Sequence, residues 1–314
     1  MNVITTDKAK ILTVNIPTHK RIIAIADIHG ELTLFKSLLD KVNFSDEDVL
    51  ILVGDLYLKG SQCHETLKFC MKLSKQENVY VLRGNCDWGM DDYISESERM
   101  WLENLPHIIE TPNHTFVHAG LAKGDLCNQE ATTCMKTQNF MNISAEFDKW
   151  VIVGHWPVSN YHTKIPEHNP LINGDKKIIS IDGGNVIAPD GQLNALIIEN
   201  GHFSSCYVDP FPLAKFDVHQ FESGGTINIS YMDNDIEILE TNGGLRKVKH
   251  LSTGKILTVP LVAFYQNHAG EPCISDMATD YHLPYQAGDE VGVIAEFEDR
   301  IFAKKDGICG WIRK

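Results

Sequence analysis

The sequence contains no apolar run approaching the roughly 18 residues of a membrane-spanning helix, so no membrane partner is expected. It also has no Cys-x-x-Cys pair; its eight cysteines stand apart at 63, 70, 86, 127, 134, 206, 273 and 309. A chain of 314 residues with 43% hydrophobic content can build its own core and does not need a disulfide framework. Positive charge is scarce, with 28 Lys and Arg against 42 Asp and Glu, for a net charge of −14. An acidic surface repels phosphate backbones at long range, so a nucleic-acid partner is not expected. The opening segment MNVITTDKAKILTVNIPTHKR lacks the basic-then-apolar pattern and the cleavage site of a secretory signal. A cytoplasmic protein with reduced thiols is the expectation.

What is present is an alternation. Arg21–Ile28, Val49–Val53 and Val79–Leu82 are continuous apolar runs too short for helices, and they read as buried strands. Between them, Glu31–Val42 places Leu32, Phe35, Leu38 and Leu39 on one helical face, and Cys63–Gln76 does the same with Leu67, Cys70, Met71 and Ser74. Strand–helix–strand–helix–strand implies a mostly parallel sheet. Further strands are expected at Thr115–His118, Val151–Val153, Ile178–Ile181 and Ala195–Ile198, the last joined through Asn200-Gly201 to Phe203–Val208. Two prolines at 210 and 212 suggest a domain edge, dividing the chain into 1–212 and 213–314. Beyond that edge helical periodicity gives way to short runs at Ile227–Tyr231, Ile236–Leu239, Lys255–Pro260, Val291–Phe297 and Arg300–Lys304, an all-β pattern.

The chemistry lies at the strand ends. Asp27-Ile28-His29-Gly30 follows the first strand, Gly54-Asp55 the second and Gly84-Asn85 the third, while His118-Ala119-Gly120 and Gly154-His155 close two later ones. Open α/β sheets place their ligands at the carboxyl ends of parallel strands. One Asp beside one His means little, because Asp caps helices and His is common on surfaces. Five such ends in order supply two carboxylates, an amide and three imidazoles, a donor set for hard-to-borderline divalent ions.

The ordered motifs DIHG, GDLYLKG, LRGNCD, FVHAGL and VGHWPV resemble those of the calcineurin-like metallophosphoesterases, and within them the phosphoprotein phosphatase branch. That branch also holds bacterial Ser/Thr phosphatases and symmetric diadenosine tetraphosphatases. Trp101–Glu110 and the IDGGN of Ile181–Asn185 fit the same pattern, and the likeness covers roughly 20–208. The resemblance implies an α/β-β/α sandwich followed by a small all-β domain. It also implies two divalent ions, manganese first, with iron or zinc as alternatives. Asp27, His29 and Asp55 would hold one ion, and Asp55, Asn85, His118 and His155 the other. The implied reaction is hydrolysis of a phosphorylated protein or nucleotide by metal-activated water. The last part of the chain, about 250–314, resembles a bacterial SH3-like domain in its Gly-Asp start and Asp-Gly…Gly-Trp finish. Exposed strands of this β module could recognise a peptide partner or shield the mouth of the active site.

Three positions depart from the family pattern. Cys86 stands where the family places a His that protonates the leaving group, within Gly84-Asn85-Cys86-Asp87. Leu58 replaces the acid that would orient this His, and Lys59 replaces a phosphate-binding Arg, keeping its charge but losing the planar fork. No arginine occurs between Arg99 and Arg246, so the second Arg clamp of the protein phosphatases has no candidate, and Lys123 is an outside candidate for contact with the anion. The resemblance implies Lys59, Arg83 and Asn85 at the phosphate and Asp55, Cys86 and Asp87 as the catalytic set. Trp88 and Trp156 flank the ligand loops and could stack on a base, while Asp91-Asp92 and Glu96–Glu98 read as a solvated acidic run. Phosphomonoester hydrolysis is the first expectation. The alternatives are hydrolysis of a dinucleoside polyphosphate or other phosphodiester, and a metal-binding scaffold with weakened catalysis.

Overall fold

Strands β1 (Ile11–Thr13), β2 (Ile22–Ile25), β3 (Val49–Leu52) and β4 (Val79–Val81) begin the chain, with helix α1 (Leu32–Lys41) between β2 and β3 and α2 (Cys63–Leu73) between β3 and β4. After them come α3 (Glu96–Asn104), β5 (Ile108–Glu110), β6 (His114–Val117), α4 (Ala131–Lys136), α5 (Phe140–Ile143), β7 (Trp150–Val153), β8 (Leu171–Asn173), β9 (Ile178–Ser180), β10 (Leu193–Glu199) and β11 (His202–Val208). This is a computed structural model, and it describes residues 7–87, 94–267, 270, 272–274 and 277–314. No helix among the described residues is long and apolar enough to cross a membrane.

These strands form two sheets, in the orders β11-β10-β2-β3-β4 and β1-β5-β6-β7-β9-β8. In the first, β2, β3 and β4 run parallel, as the two helical crossovers require. In the second, β6, β7 and β9 form a parallel triplet of their own. The apolar runs are continuous because both faces of the first sheet are covered. Ile23, Ile25, Leu50 and Leu52 pack with Phe35 and Leu38 of α1 and Leu67 and Cys70 of α2. The alternate residues Ile22, Ala24, Val49 and Ile51 pack with Ile109, Phe116, Ile152 and Ile179 of the other sheet. The β10–β11 turn has positive φ at both Asn200 (50°) and Gly201 (77°), the two-residue turn whose twist suits a hairpin.

Arg21 and Asp48 stand at the starts of β2 and β3. Arg21 donates from Nε and Nη2 to the two Asp48 carboxylate oxygens at 2.8 Å each, and Ser45 N donates to Oδ2 at 2.9 Å. Burial pushes the Asp48 carboxyl up, but the guanidinium and the Ser45 amide outweigh it and hold the group below the usual carboxylate range. A lowered folded-state pKa gives stability that is present above the unfolded value and lost as pH falls through the folded one. Asp48→Asn is therefore expected to cost about 1–2 kcal/mol at neutral pH. The gap from wild type should narrow in urea unfolding near about pH 3; an equal gap at both pH values would refute this account.

By contact density the chain divides into two units. One comprises Met1–Pro157, Asn169–Val186 and Gln192–Asp209, the other Val158–His168, Ile187–Gly191 and Pro210–Lys314. The second unit thus takes in two short segments that the sequence reading left in the first. Its strands are β12 (Leu213–Lys215), β13 (Ile236–Asn242), β14 (Leu245–His250), β15 (Ile256–Pro260), β16 (Phe264–Gln266), β17 (Pro272–Ile274), β18 (Glu290–Glu296), β19 (Arg300–Lys305) and β20 (Ile308–Arg313). They form sheets β12-β18-β19-β20, β13-β14-β15 and β16-β17. The expected strand at Ile227–Tyr231 is absent: Asn228 and Ser230 make only single bridges, to Thr279 and Asp233. Its apolar alternation instead seats Ile227 and Ile229 in a core with Val248, Val259, Phe302 and Trp311.

Candidate metal centre

The carboxyl ends of both parallel triplets carry the polar residues singled out above. Asp27 and His29 follow β2, Asp55 follows β3, Asn85 follows β4, His118 follows β6 and His155 follows β7. The backbone there is strained, with left-handed φ at Asp27 (57°), His29 (48°), Asp55 (53°) and His155 (66°). Such conformations cost about 1–3 kcal/mol each in a non-glycine residue and persist only where neighbours enforce them. The enforcement is visible in the hydrogen bonds between loops. Asp27 N donates to Gly54 O (3.1 Å), His29 N to Asp55 O (3.0 Å) and Gly154 N to His118 O (2.8 Å). Gly84 and Gly154 permit the approach, because a Cβ on either would collide with the carboxylate of Asp55 or of Asp27 respectively.

Ligand atoms of Asp55, His118 and His155 lie within 4.8 Å of one another, as do those of His29, Asp55 and Cys86, so Asp55 is common to both groups. His118 Nδ1 faces the Val53 carbonyl at 2.9 Å, which can only accept, so this nitrogen carries the proton. The opposite nitrogen, Nε2, then faces Asn85 Oδ1 at 3.1 Å and Asp55 Oδ1 at 3.3 Å with a lone pair of its own. Across the centre, His29 Nε2 is 3.8 Å from Asp27 Oδ1 and 3.7 Å from Asp55 Oδ2. Asp27 Oδ1 is buried and has no hydrogen-bond partner.

Electrostatics point the same way. Burial, with Asp182 and Asp55 nearby, pushes the Asp27 carboxyl well up, while burial lowers His29 and His155 to about 4, keeping the imidazoles in their neutral, ligating form. Asp55 is pushed up by burial but drawn lower overall by His118, His29 and the Cys86 amide. Converging lone pairs and clustered buried carboxylates fit a divalent cation and are poorly satisfied by anything else in the loops.

Asp87, expected in the catalytic set, has both oxygens committed to backbone. It accepts from Asp55 N (2.8 Å), Leu56 N (3.0 Å) and Gly84 N (2.8 Å), tying the two ligand loops together. Burial and the nearby Asp55 push its carboxyl up to about 7. Cys86 is buried, its amide donates to Asp55 Oδ1 at 2.8 Å, and burial with Asp55 pushes its thiol up, which keeps the proton on sulfur. Lys59 is exposed and lies within electrostatic reach of Asp27, His29, His155 and Asp182. Arg83 lies within electrostatic reach of Asp87, Glu103, Tyr57 and His107.

Trp156 is buried, whereas Trp88, Asp91 and Asp92 lie outside the described residues. Glu98 corrects the reading of a solvated run. It is buried and closes a capping box, accepting from Ser95 N at 2.7 Å at the start of α3. Two residues of the IDGGN segment were not singled out from sequence. Asn185 Nδ2 donates to the Ile28 carbonyl at 2.9 Å, and Asp182, raised to about 7 by burial, faces Asp27 and Asp55. The IDGGN motif itself, at the end of another parallel strand, was the available signal.

This arrangement of two parallel triplets, with acids and imidazoles at their shared rim, is that of a metallophosphoesterase. Residues 20–187 match the Calcineurin-like phosphoesterase family, and the chain belongs to it. A symmetrical bis(5'-nucleosyl)-tetraphosphatase of Haemophilus ducreyi (strain 35000HP / ATCC 700724) is 27% identical over 160 residues, covering 40% of this chain and 58% of that one. The serine/threonine-protein phosphatase PP1-delta of Caenorhabditis elegans is 38% identical over 66 residues, covering 20% and 22%. The chain therefore spans less than two thirds of the length of either relative. A crystal structure provisionally described as a diadenosine tetraphosphatase shares the fold, with a TM-score of 0.50 at 22% identity over 64% of this chain and 99% of that one.

Proposed function

We propose that this chain is a two-metal phosphoesterase that hydrolyses phosphomonoesters, phosphoproteins among them. The observation that carries the reading is the convergence of His118 Nε2, Asn85 Oδ1 and Asp55 Oδ1 on one point, with Asp55 also facing His29. Asp27, His29 and Asp55 would hold one ion and Asp55, Asn85, His118 and His155 the other. Bound divalent ions supply Lewis acidity there, offsetting charge on phosphoryl oxygens and bringing the pKa of water towards neutrality. The chain's own residues do the rest. Val53 O fixes the His118 tautomer, Asp87 holds the Asp55 and Asn85 loops in register, and Lys59 offers an ammonium to the incoming phosphate. We favour manganese among manganese, iron and zinc, because the donors are oxygen and nitrogen and the Cys86 thiol keeps its proton. A cytoplasmic site of action accords with eight cysteines that form no disulfide among the described residues. The SH3-like pattern of the last part of the chain suggests a peptide partner for the second unit.

Two observations favour a second reading, hydrolysis of a dinucleoside polyphosphate. The Haemophilus relative carries that activity in its name. Leu58 and Cys86 also leave the leaving-group oxygen without an acid–imidazole pair, which matters less when the leaving group is itself a phosphate. Steady-state turnover of an aryl phosphate, a bis-aryl phosphate, diadenosine tetraphosphate and a phosphopeptide, each with manganese, separates the readings. Selective turnover of the tetraphosphate or the diester would defeat the monoester reading. No turnover by a protein holding two metals would leave a scaffold. Cys86→His is expected to raise kcat on alkyl phosphates by roughly tenfold while leaving activated aryl esters nearly unchanged. Equal effects on both would mean that position 86 does not face the leaving group.

A further inference from the structure

The second unit contains its own cluster of ligating side chains. A ring nitrogen of His168, a carboxylate oxygen of Asp190 and Sγ of Cys309 all lie within 4.8 Å of one another, and the three residues are 0%, 3% and 0% exposed. The backbone brings them together deliberately. His168 N donates to Gly307 O (3.0 Å) and Cys309 N to Pro166 O (2.9 Å), so segment 166–168 meets the start of β20 through a single antiparallel bridge, Glu167 to Ile308. Asp190 arrives on the 187–191 segment, which Lys304 anchors by donating to Gly191 O at 3.1 Å. These are the two segments that leave the first unit in sequence to join the second.

We propose that His168, Asp190 and Cys309 form a structural zinc site that fastens both segments to β20. Three features of the cluster carry this. The separation between His168 Nε2 and Asp190 Oδ2 is 3.4 Å. It matches the edge of a tetrahedron with metal–ligand distances of about 2.0–2.1 Å, roughly 3.3–3.4 Å. Asp190 Oδ1 is buried without a hydrogen-bond partner, which leaves it free to complete the coordination through a bidentate carboxylate. The donor set of one nitrogen, one sulfur and carboxylate oxygen, sealed from solvent, suits zinc better than the oxygen- and nitrogen-lined centre of the first unit does. The Lys304 ammonium is within electrostatic reach of Asp190, while its own close contacts are Gly191 O at 3.1 Å and the Phe211 ring at 5.0 Å.

The full chain should therefore bind about one zinc more than its Cys309→Ala variant, measured by elemental analysis after dialysis. Loaded with cobalt, it should show a thiolate-to-cobalt charge-transfer band that survives Cys86→Ala and disappears in Cys309→Ala. Both variants are compared with their own parent, so the result does not depend on occupancy of the first unit's centre. Cys309→His covers the case in which the alanine variant does not fold: it should keep the extra zinc and lose only the band. Aryl phosphate turnover at room temperature should change less than about twofold in the Cys309 variants. Absence of the band in the parent, or equal zinc content in parent and Cys309→Ala, would overturn the site and leave a metal-free buried His–Asp pair.

Discussion

Asp55→Asn is expected to reduce phosphoesterase turnover by at least about a thousandfold and to strip metal from the first unit while the fold survives. Asp55 is the one side chain shared by the two ligand groups, facing His118 through Oδ1 at 3.3 Å and His29 through Oδ2 at 3.7 Å. Asparagine preserves its shape but presents a neutral oxygen on one side and a donor on the other, so one ion would lose its charge partner and the other would meet an N–H. The fold should hold because asparagine keeps an oxygen to accept the Cys86 amide. Losing the charge relieves repulsion on the buried Asp27 and Asp182 and gives up the attraction of His118 and His29, two effects of opposite sign. The thermal midpoint in chelator should therefore stay close to that of wild type, whereas with manganese only the wild type should gain. Turnover within about tenfold of wild type would refute the shared-ligand assignment.

The main part of this was legible from sequence because both signals are local. A buried strand in a two-faced sheet must be continuously apolar, and β2 and β3 are; a ligand at its end must be polar, and Asp27 and Asp55 interrupt the run abruptly. The β10–β11 turn was legible for the same reason, since Asn200-Gly201 is the pair that accepts positive φ twice. What escaped depends on partners far away in sequence. Glu98 looked solvated beside Glu96 until Ser95 placed it as a cap. β14 was hidden because Arg246, Lys247 and Lys249 mask an inward Val248 and His250. His168 has no flanking pattern, and its neighbours Asp190 and Cys309 come from other segments of the chain, so no spacing rule joins them. Asp87 was expected in the catalytic set from its place in the Gly84–Asp87 loop, and no sequence signal shows that its oxygens face the amides of Asp55, Leu56 and Gly84.

That role gives the second large effect. Asp87→Ala would leave the amides of Asp55, Leu56 and Gly84 buried without an acceptor, in a place where Asp87 is 0% exposed. Each orphaned donor costs about 1–3 kcal/mol, so a loss of about 3–5 kcal/mol in unfolding free energy is expected. Asp87→Asn should lose about half as much, because one carbonyl oxygen can still serve two amides while the NH2 opposes the third. The same amides hold the Asp55 and Asn85 loops at the spacing their side chains need, so metal affinity should fall by about 10–100-fold in either variant. Positioning and ligation then separate on one measurement. Excess manganese should restore most of the kcat of Asp87→Asn, whose ligands are all present but loosely held, and should restore little in Asp55→Asn, which lacks one. If Asp87 instead touched the reacting phosphate, no manganese concentration would bring kcat back, and KM for the metal would be unchanged from wild type.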